Sequence, residues 1–173
     1  MKIFGIEKSF ENISPMRTKD IVFYINLAIT LKYLPKILAK LSKENNITTN
    51  DTLFETINSG VENIRPLRPY ERKYLTNILS SATKKGMDYK KFKLFQEKRL
   101  LSKATTAKIL PNKIYYYEED TYQIYFAFNQ VLSNTIGNMM QENEELRENI
   151  SKEIDSLYYH YKELMISESK VRR

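Results

Sequence analysis

The single histidine of this 173-residue chain, His160, lies within Tyr158-Tyr159-His160-Tyr161. A catalytic imidazole needs a nucleophile to deprotonate or an acid to orient it. Nothing at this site on its predicted helix announces either, so His160 is read as structural. Carboxylates gather at Glu118–Asp120 and again at Glu142–Glu148. A metal-dependent nuclease needs such groups to converge on a cation. The first group reads instead as a turn, and the second as a solvated first helical turn, where negative charge complements the helix dipole. With no cysteine, disulfides, thiolate metal sites and a thiol nucleophile are excluded. The four glycines form no phosphate-cradling loop or Gly-x-Ser-x-Gly elbow, and no His-Glu-x-x-His occurs. The expectation is a binding protein, not an enzyme, with neither cofactor nor metal.

Charge provides the positive signal. Residues 1–64 carry 8 basic and 7 acidic side chains (+1), residues 65–113 carry 14 and 3 (+11), and residues 114–173 carry 6 and 11 (−5). Lys, Ile, Asn and Tyr supply 65 residues, which points to an AT-rich genome such as that of a bacterium, phage, plasmid or organelle. That bias inflates lysine everywhere, so it does not explain the partition. A +11 segment attracts polyanions, because each phosphate it neutralises releases counterions. The residues expected to meet nucleic acid are Arg65, Arg68, Arg72, Lys73, Lys84, Lys85, Lys90, Lys91, Lys93, Lys98 and Arg99. Tyr70, Tyr74, Tyr89, Phe92 and Phe95 lie among them. Bases of single-stranded RNA stack on such rings, although Tyr74, Phe92 and Phe95 fit the buried side of a helix better.

The elements that would hold these residues are mostly helical. Thr18 and Asp20 open a helix with Ile21, Ile25, Ala28 and Leu31 on one side, and Pro35 kinks or ends it before two further turns over Lys36–Lys43. Asp51 caps a helix bearing Leu53, Ile57, Val61 and Ile64. Arg65-Pro-Leu-Arg-Pro69 should be extended, since each proline disfavours helix in the residue before it. Pro69 then starts a helix with Tyr74, Leu75, Ile78, Leu79 and Ala82 inward and Gly86 at its end, and Asp88 caps another. Ile114–Phe128, rich in Tyr and Ile, is read as a β-hairpin turning at Glu118–Thr121, with a helix from Thr121 as the competing assignment. Val131–Met140 is read as helix interrupted by Gly137. Glu142–Lys170 is read as one amphipathic helix with Ile150, Ile154, Leu157, Tyr161 and Leu164 in a heptad seam, short enough to pack within the same molecule.

Asp51–Leu67 reads Asp-Thr-Leu-Phe-Glu-Thr-Ile-Asn-Ser-Gly-Val-Glu-Asn-Ile-Arg-Pro-Leu. It resembles the helix and exit turn of the seventh small-subunit ribosomal protein family, with Val61, Asn63, Ile64, Arg65 and Pro66 matching its Val/Ile-x-Asn-Val/Ile-Arg/Lys-Pro pattern. Thr121-Tyr-Gln-Ile124 looks like the Thr-Tyr-Gln-Val of the family's RNA-binding hairpin. Lys152-Glu153 and Arg172-Arg173 loosely resemble its last helix. Here 54 residues separate Pro66 from Thr121, more than in the family, and Tyr115–Asp120 stands where the family has Arg-Arg-x-Gly-Gly. The resemblance implies a divergent, organellar ribosomal protein that binds the 3′ domain of small-subunit rRNA, with Arg65 and Arg68 at the RNA surface and Lys84, Lys85, Lys90, Lys91 and Lys93 clamping phosphates.

Together these readings give one mainly α domain over 1–173: a bundle of five to six helices with one possible β-hairpin near 114–128. Residues 18–64 would form amino-terminal helices, 65–113 the basic segment and 129–173 acidic carboxy-terminal helices. The expected function is a structural RNA-binding component of a ribonucleoprotein, with rRNA and neighbouring proteins as partners and no membrane. The alternative is a protein-assembly component, such as a phage connector subunit in a homo-oligomeric ring or a small phage-encoded inhibitor. The longest apolar run, Ile21–Leu31, contains Asn26 and is far short of a bilayer span. A cytoplasmic or organellar location (the mitochondrial matrix if the ribosomal resemblance holds) is expected over secretion.

Overall fold

The computed structural model describes residues 2–11, 15–84 and 112–171, with the side chains of 15–17, 112–122 and 165–171 excepted. The protein is mainly α, as the periodicity predicts. The described residues form a short antiparallel hairpin, β1 (Lys2–Ile3) and β2 (Ile6–Glu7), and six helices. These are α1 (Pro15–Lys32), α2 (Leu34–Glu44), α3 (Asn50–Ile64), α4 (Pro69–Thr83), α5 (Asn112–Glu142) and α6 (Glu144–Val171). The helix expected after Asp88 lies outside the described residues.

Burial explains why α1 carries apolar residues on every side. From Ile21 to Leu31 only Val22 and Asn26 escape full burial, the pattern of a helix enclosed by neighbours. Pro35 lacks an N–H and cannot continue α1, and α2 leaves at a bend of 68°. No single helix among the described residues is long and apolar enough to cross a membrane. α5 is the central strut, touching α1, α2, α3 and α6. It buries Ile124, Tyr125, Ala127, Phe128, Leu132, Ile136 and Met140. One polar pair joins it to α1 inside the core: Thr30 Oγ1 donates to Asn129 Oδ1 at 2.7 Å. The heptad seam of α6 is buried at Ile150, Ile154, Leu157 and Tyr161, and α6 packs within the molecule against α1 and α5.

The helix ends follow local chemistry, with several departures from expectation: α1 already begins at Pro15, ahead of Thr18 and Asp20, and α4 closes at Thr83 with Lys84 as its cap, short of Gly86. α3 is capped by Thr49, whose hydroxyl accepts from the Thr52 N–H at 3.3 Å, so Asp51 falls in the first turn instead of at the cap. The long helix anticipated over Glu142–Lys170 forms as α6 but starts two residues later: Glu142 closes α5, and Asn143, whose Oδ1 accepts from the Leu146 N–H at 3.2 Å, caps α6.

The β-hairpin expected over 114–128 is not formed: α5 runs through the whole stretch, the competing helical assignment. Tyr and Ile favour strands only where a pleated, half-buried surface suits them. Here Ile124, Tyr125 and Phe128 recur at helical spacing and sink into a helical core. α5 also continues through Gly137 without interruption. The real hairpin lies at the amino terminus. Its two-residue turn, Phe4-Gly5, has φ of 51° and 81°, and it points Ile3 and Ile6 into the core. Its signal was Gly5 between two isoleucines, weakened by a phenylalanine where Asn or Asp is usual.

These two glycines should respond oppositely to alanine. At Gly137 a Cβ would meet nothing within 4 Å. Gly137→Ala should therefore raise stability by about 0.5–1 kcal/mol, measured by urea unfolding. Gly5 is equally open but sits at φ +81°, so Gly5→Ala should lower stability by about 1–2 kcal/mol.

The amino-terminal segment is strapped onto α6. Phe10 stacks on Tyr158 with centroids 4.1 Å apart, and the Tyr158 hydroxyl donates to the Glu11 carbonyl at 2.6 Å. Lys8 pairs with Asp155 at 3.1 Å, and Lys162 with Glu11. The hydrogen bond from Lys162 holds the Glu11 carboxyl below the usual carboxylate range, and the same bond raises Lys162. The strap contact is thus present above the ordinary carboxyl value and lost as pH falls through the depressed one; on the alkaline side it is lost as pH rises through the raised lysine value. In an NMR titration Glu11 should protonate at lower pH than a free glutamate, and Lys162→Gln should return it to the ordinary value.

Candidate nucleic-acid interface

Val61 is fully buried at the close of α3, while Asn63 and Ile64 emerge to solvent. Arg65 follows with φ −149° and ψ 128°, extended as the following proline requires. Pro69 occupies the first turn of α4, where a missing N–H costs nothing.

One acidic residue organises this corner. Glu71 in the first turn of α4 is buried, its side chain 1% exposed. Its Oε1 accepts from the Arg68 backbone N–H at 3.0 Å, capping the helix, and its Oε2 faces the Arg65 guanidinium at 3.4 Å. The next residue, Arg72, bridges Glu55 and Glu62 of α3, hydrogen bonds that raise the guanidinium above its ordinary value, Glu55 contributing most. The same two helices are joined by Asn58 Nδ2 donating to Thr76 Oγ1 at 2.9 Å. Two of the arginines expected to meet nucleic acid, Arg65 and Arg72, therefore already hold carboxylates of this chain, and Arg72 locks α4 to α3.

Outward of that lock lie Tyr70, Lys73 and Lys84, all exposed. Tyr70, 47% exposed, presents a ring beside Arg68 and Lys73 in sequence. Tyr74 was expected inward but is 43% exposed; its ring meets Tyr125 edge-on, and the two hydroxyls share a hydrogen bond of 2.6 Å. Leu75, Leu79 and Ala82 do face the core. Lys85, Lys90, Lys91, Lys93, Lys98 and Arg99, with Gly86, Tyr89, Phe92 and Phe95, lie outside the described residues. The structure thus brings Arg65, Arg68, Arg72 and Lys73 together at one corner, with Lys84 just past the far end of α4. Charge counting alone did not single out Glu55, Glu62 and Glu71. The signal available for Glu71 was its place as third residue after the cap, where a glutamate reaches back to the cap N–H.

The acidic third has its own partners. Lys32 reaches Glu153 at 2.8 Å, Lys40 reaches Glu142 at 2.5 Å, and Lys8 reaches Asp155 at 3.1 Å. All three lysines belong to the first 64 residues. The bond to Glu142 raises Lys40 above the ordinary lysine value. His160 is half-buried with its ring 5.7 Å from Tyr161. Among the described residues no three of His, Cys, Asp and Glu stand close enough to hold a metal ion. Thr121–Ile124, the second element of the ribosomal resemblance, lies inside α5.

No family model, no curated protein and no solved structure matches this chain, so the reading of its function rests on the residues themselves.

Proposed function

We propose that this chain is a non-catalytic, structural RNA-binding component of a ribonucleoprotein. The observation that carries the reading is which cations serve the acidic carboxy-terminal third. Among the described residues, Glu142, Glu153 and Asp155 are paired by Lys40, Lys32 and Lys8 of the amino-terminal third. Carboxylates of the acidic third that amino-terminal lysines already neutralise leave less negative charge to hold the polycation within the chain, which suits it to an external polyanion. Arg65 and Arg72 stiffen the platform through Glu71, Glu55 and Glu62. Lys73, Lys84 and the lysines that follow carry the phosphate contacts, and the exposed ring of Tyr70 offers a stacking face to an unpaired base.

The small ribosomal subunit is the assembly that the α3 exit motif, Val61 to Pro66, points to. Thr121–Ile124 adds no support, because it lies in a helix and not in a hairpin like the one that carries the element in that family. The rival reading, a head-to-tail ring joining the +11 segment of one copy to the acidic third of the next, has less support because three of those carboxylates are engaged within the chain.

Absorbance at 260 nm should accompany the protein through purification in moderate salt and disappear after nuclease treatment. Changing Lys84, Lys85, Lys90 and Lys91 to Ala should remove it while leaving the far-ultraviolet dichroism intact. A nucleic-acid-free protein that scatters light as a closed ring would overturn the proposal in favour of its rival.

A further inference from the structure

A groove of about 710 Å³ runs between α5, α1 and the Phe4-Gly5 turn, and none of its eleven lining residues is ionisable. In a chain that is 28% charged, about three would be expected. Six are carboxamides instead: Asn26, Asn129, Gln130, Asn134, Asn138 and Gln141. Asn129 is spent on Thr30. Among the described residues no hydrogen bond engages the side chains of the other five.

Their spacing narrows the ligand. Gln130, Asn134 and Asn138 step by four along α5, and Gln141 follows three further on, so they form one stripe with a rise of about 6.0 Å per step of four. Two residues of extended polypeptide rise about 6.6–6.8 Å. Each carboxamide offers one acceptor and a pair of donors, the complement of a main-chain N–H and C=O. A nucleic acid is disfavoured because its phosphates would meet no cation in the groove.

The two ends differ. Phe126, 40% exposed and stacked on Phe23 with centroids 6.1 Å apart, closes one end with an apolar face. At Gln141 the groove continues into another lined by Glu7, Glu144, Glu148 and Arg147. Among the described residues no ion pair engages those three glutamates. From Phe126 to Gln141 the helix rises about 22 Å, the length of about seven extended residues.

We propose that this groove binds an extended peptide segment of another protein, apolar at the Phe126 end, uncharged through the middle and basic at the Gln141 end. The site is independent of the RNA-binding reading, since none of its residues belongs to the basic segment. Gly137 provides the test. It lines the groove, its Cβ position is open, and leucine is a stronger helix former than glycine. Gly137→Leu therefore obstructs the groove while α5 stays folded.

The probe is the capped peptide acetyl-Leu-Ala-Ser-Ala-Ser-Ala-Lys-Lys-amide, titrated into the full chain while the side-chain amide signals are followed by NMR. Saturable shifts are expected at Gln130, Asn134 and Asn138, absent in Gly137→Leu, whose thermal unfolding should occur at or above the wild-type temperature. Replacing the two peptide lysines by glutamates should weaken binding about tenfold or more. Unmoved amide signals, shifts that persist in Gly137→Leu, or the same shifts with maltohexaose or single-stranded oligouridine would each overturn the proposal.

Discussion

Phe128→Ala should destabilise the protein by about 4 kcal/mol, the large end of single-residue effects. Phe128 is fully buried on α5, the helix that packs against α1, α2, α3 and α6. Truncation removes the transfer free energy of the ring and leaves a cavity that rigid neighbours on several sides can only partly fill. Two positions earlier on the same helix, Phe126 is 40% exposed. Phe126→Ala should cost only about 1 kcal/mol, mainly its stacking on Phe23. Urea midpoints at constant m-value measure both. Equal losses for the two would mean that α5 does not present the faces described. The contrast also bears on the 114–128 stretch: in a strand, 126 and 128 would share one face, whereas on a helix they lie on opposite sides.

Glu71→Ala should cost about 3 kcal/mol, an unusually large effect for a charged residue. It removes the acceptor of the Arg68 N–H at 3.0 Å, and with it the cap of α4. It also leaves the Arg65 guanidinium, largely buried, without its carboxylate at 3.4 Å. Breaking a buried pair from one side costs several kcal/mol; the figure is set lower because Arg65 retains contact with solvent. Glu71→Gln keeps an acceptor for the N–H and should lose about half as much. Adding Arg65→Met to Glu71→Ala should recover part of the loss, since a largely buried charge that has lost a carboxylate is then gone. A double variant no more stable than Glu71→Ala would mean that the cap alone matters.

How far the sequence could be read depended on whether the deciding interaction was local. Pro69 as the start of α4, the extended Arg65–Arg68 exit and the buried seam of α6 all follow from spacing and proline stereochemistry, and all were legible. The hairpin at 114–128 was misread because an aromatic, β-branched run suits a strand until tertiary contacts decide otherwise. What overrode it was the burial of Ile124, Tyr125 and Phe128 on a helix packed from several sides. Tyr74 was misplaced for a related reason. It lies at the border of the buried stripe, and its hydroxyl is satisfied by Tyr125, 51 positions away. Charge counting located the basic segment but could not tell a cation offered to solvent from one held by the fold. Arg72 was counted as a phosphate ligand, yet its partners Glu55 and Glu62 precede it by 17 and 10 positions on another helix. The carboxamide groove was invisible for the same reason, since Asn26 and Gln130 come together only when α1 packs on α5.

The central claim, that the basic segment meets RNA phosphates, is tested most directly by the salt dependence of RNA binding to the intact chain. A logarithmic plot of association constant against salt should be linear and steep, with a slope of about −5 or beyond. In the variant lacking Lys84, Lys85, Lys90 and Lys91 the slope should be shallower by roughly 3–4. A flat slope, or one unchanged in that variant, would contradict the account.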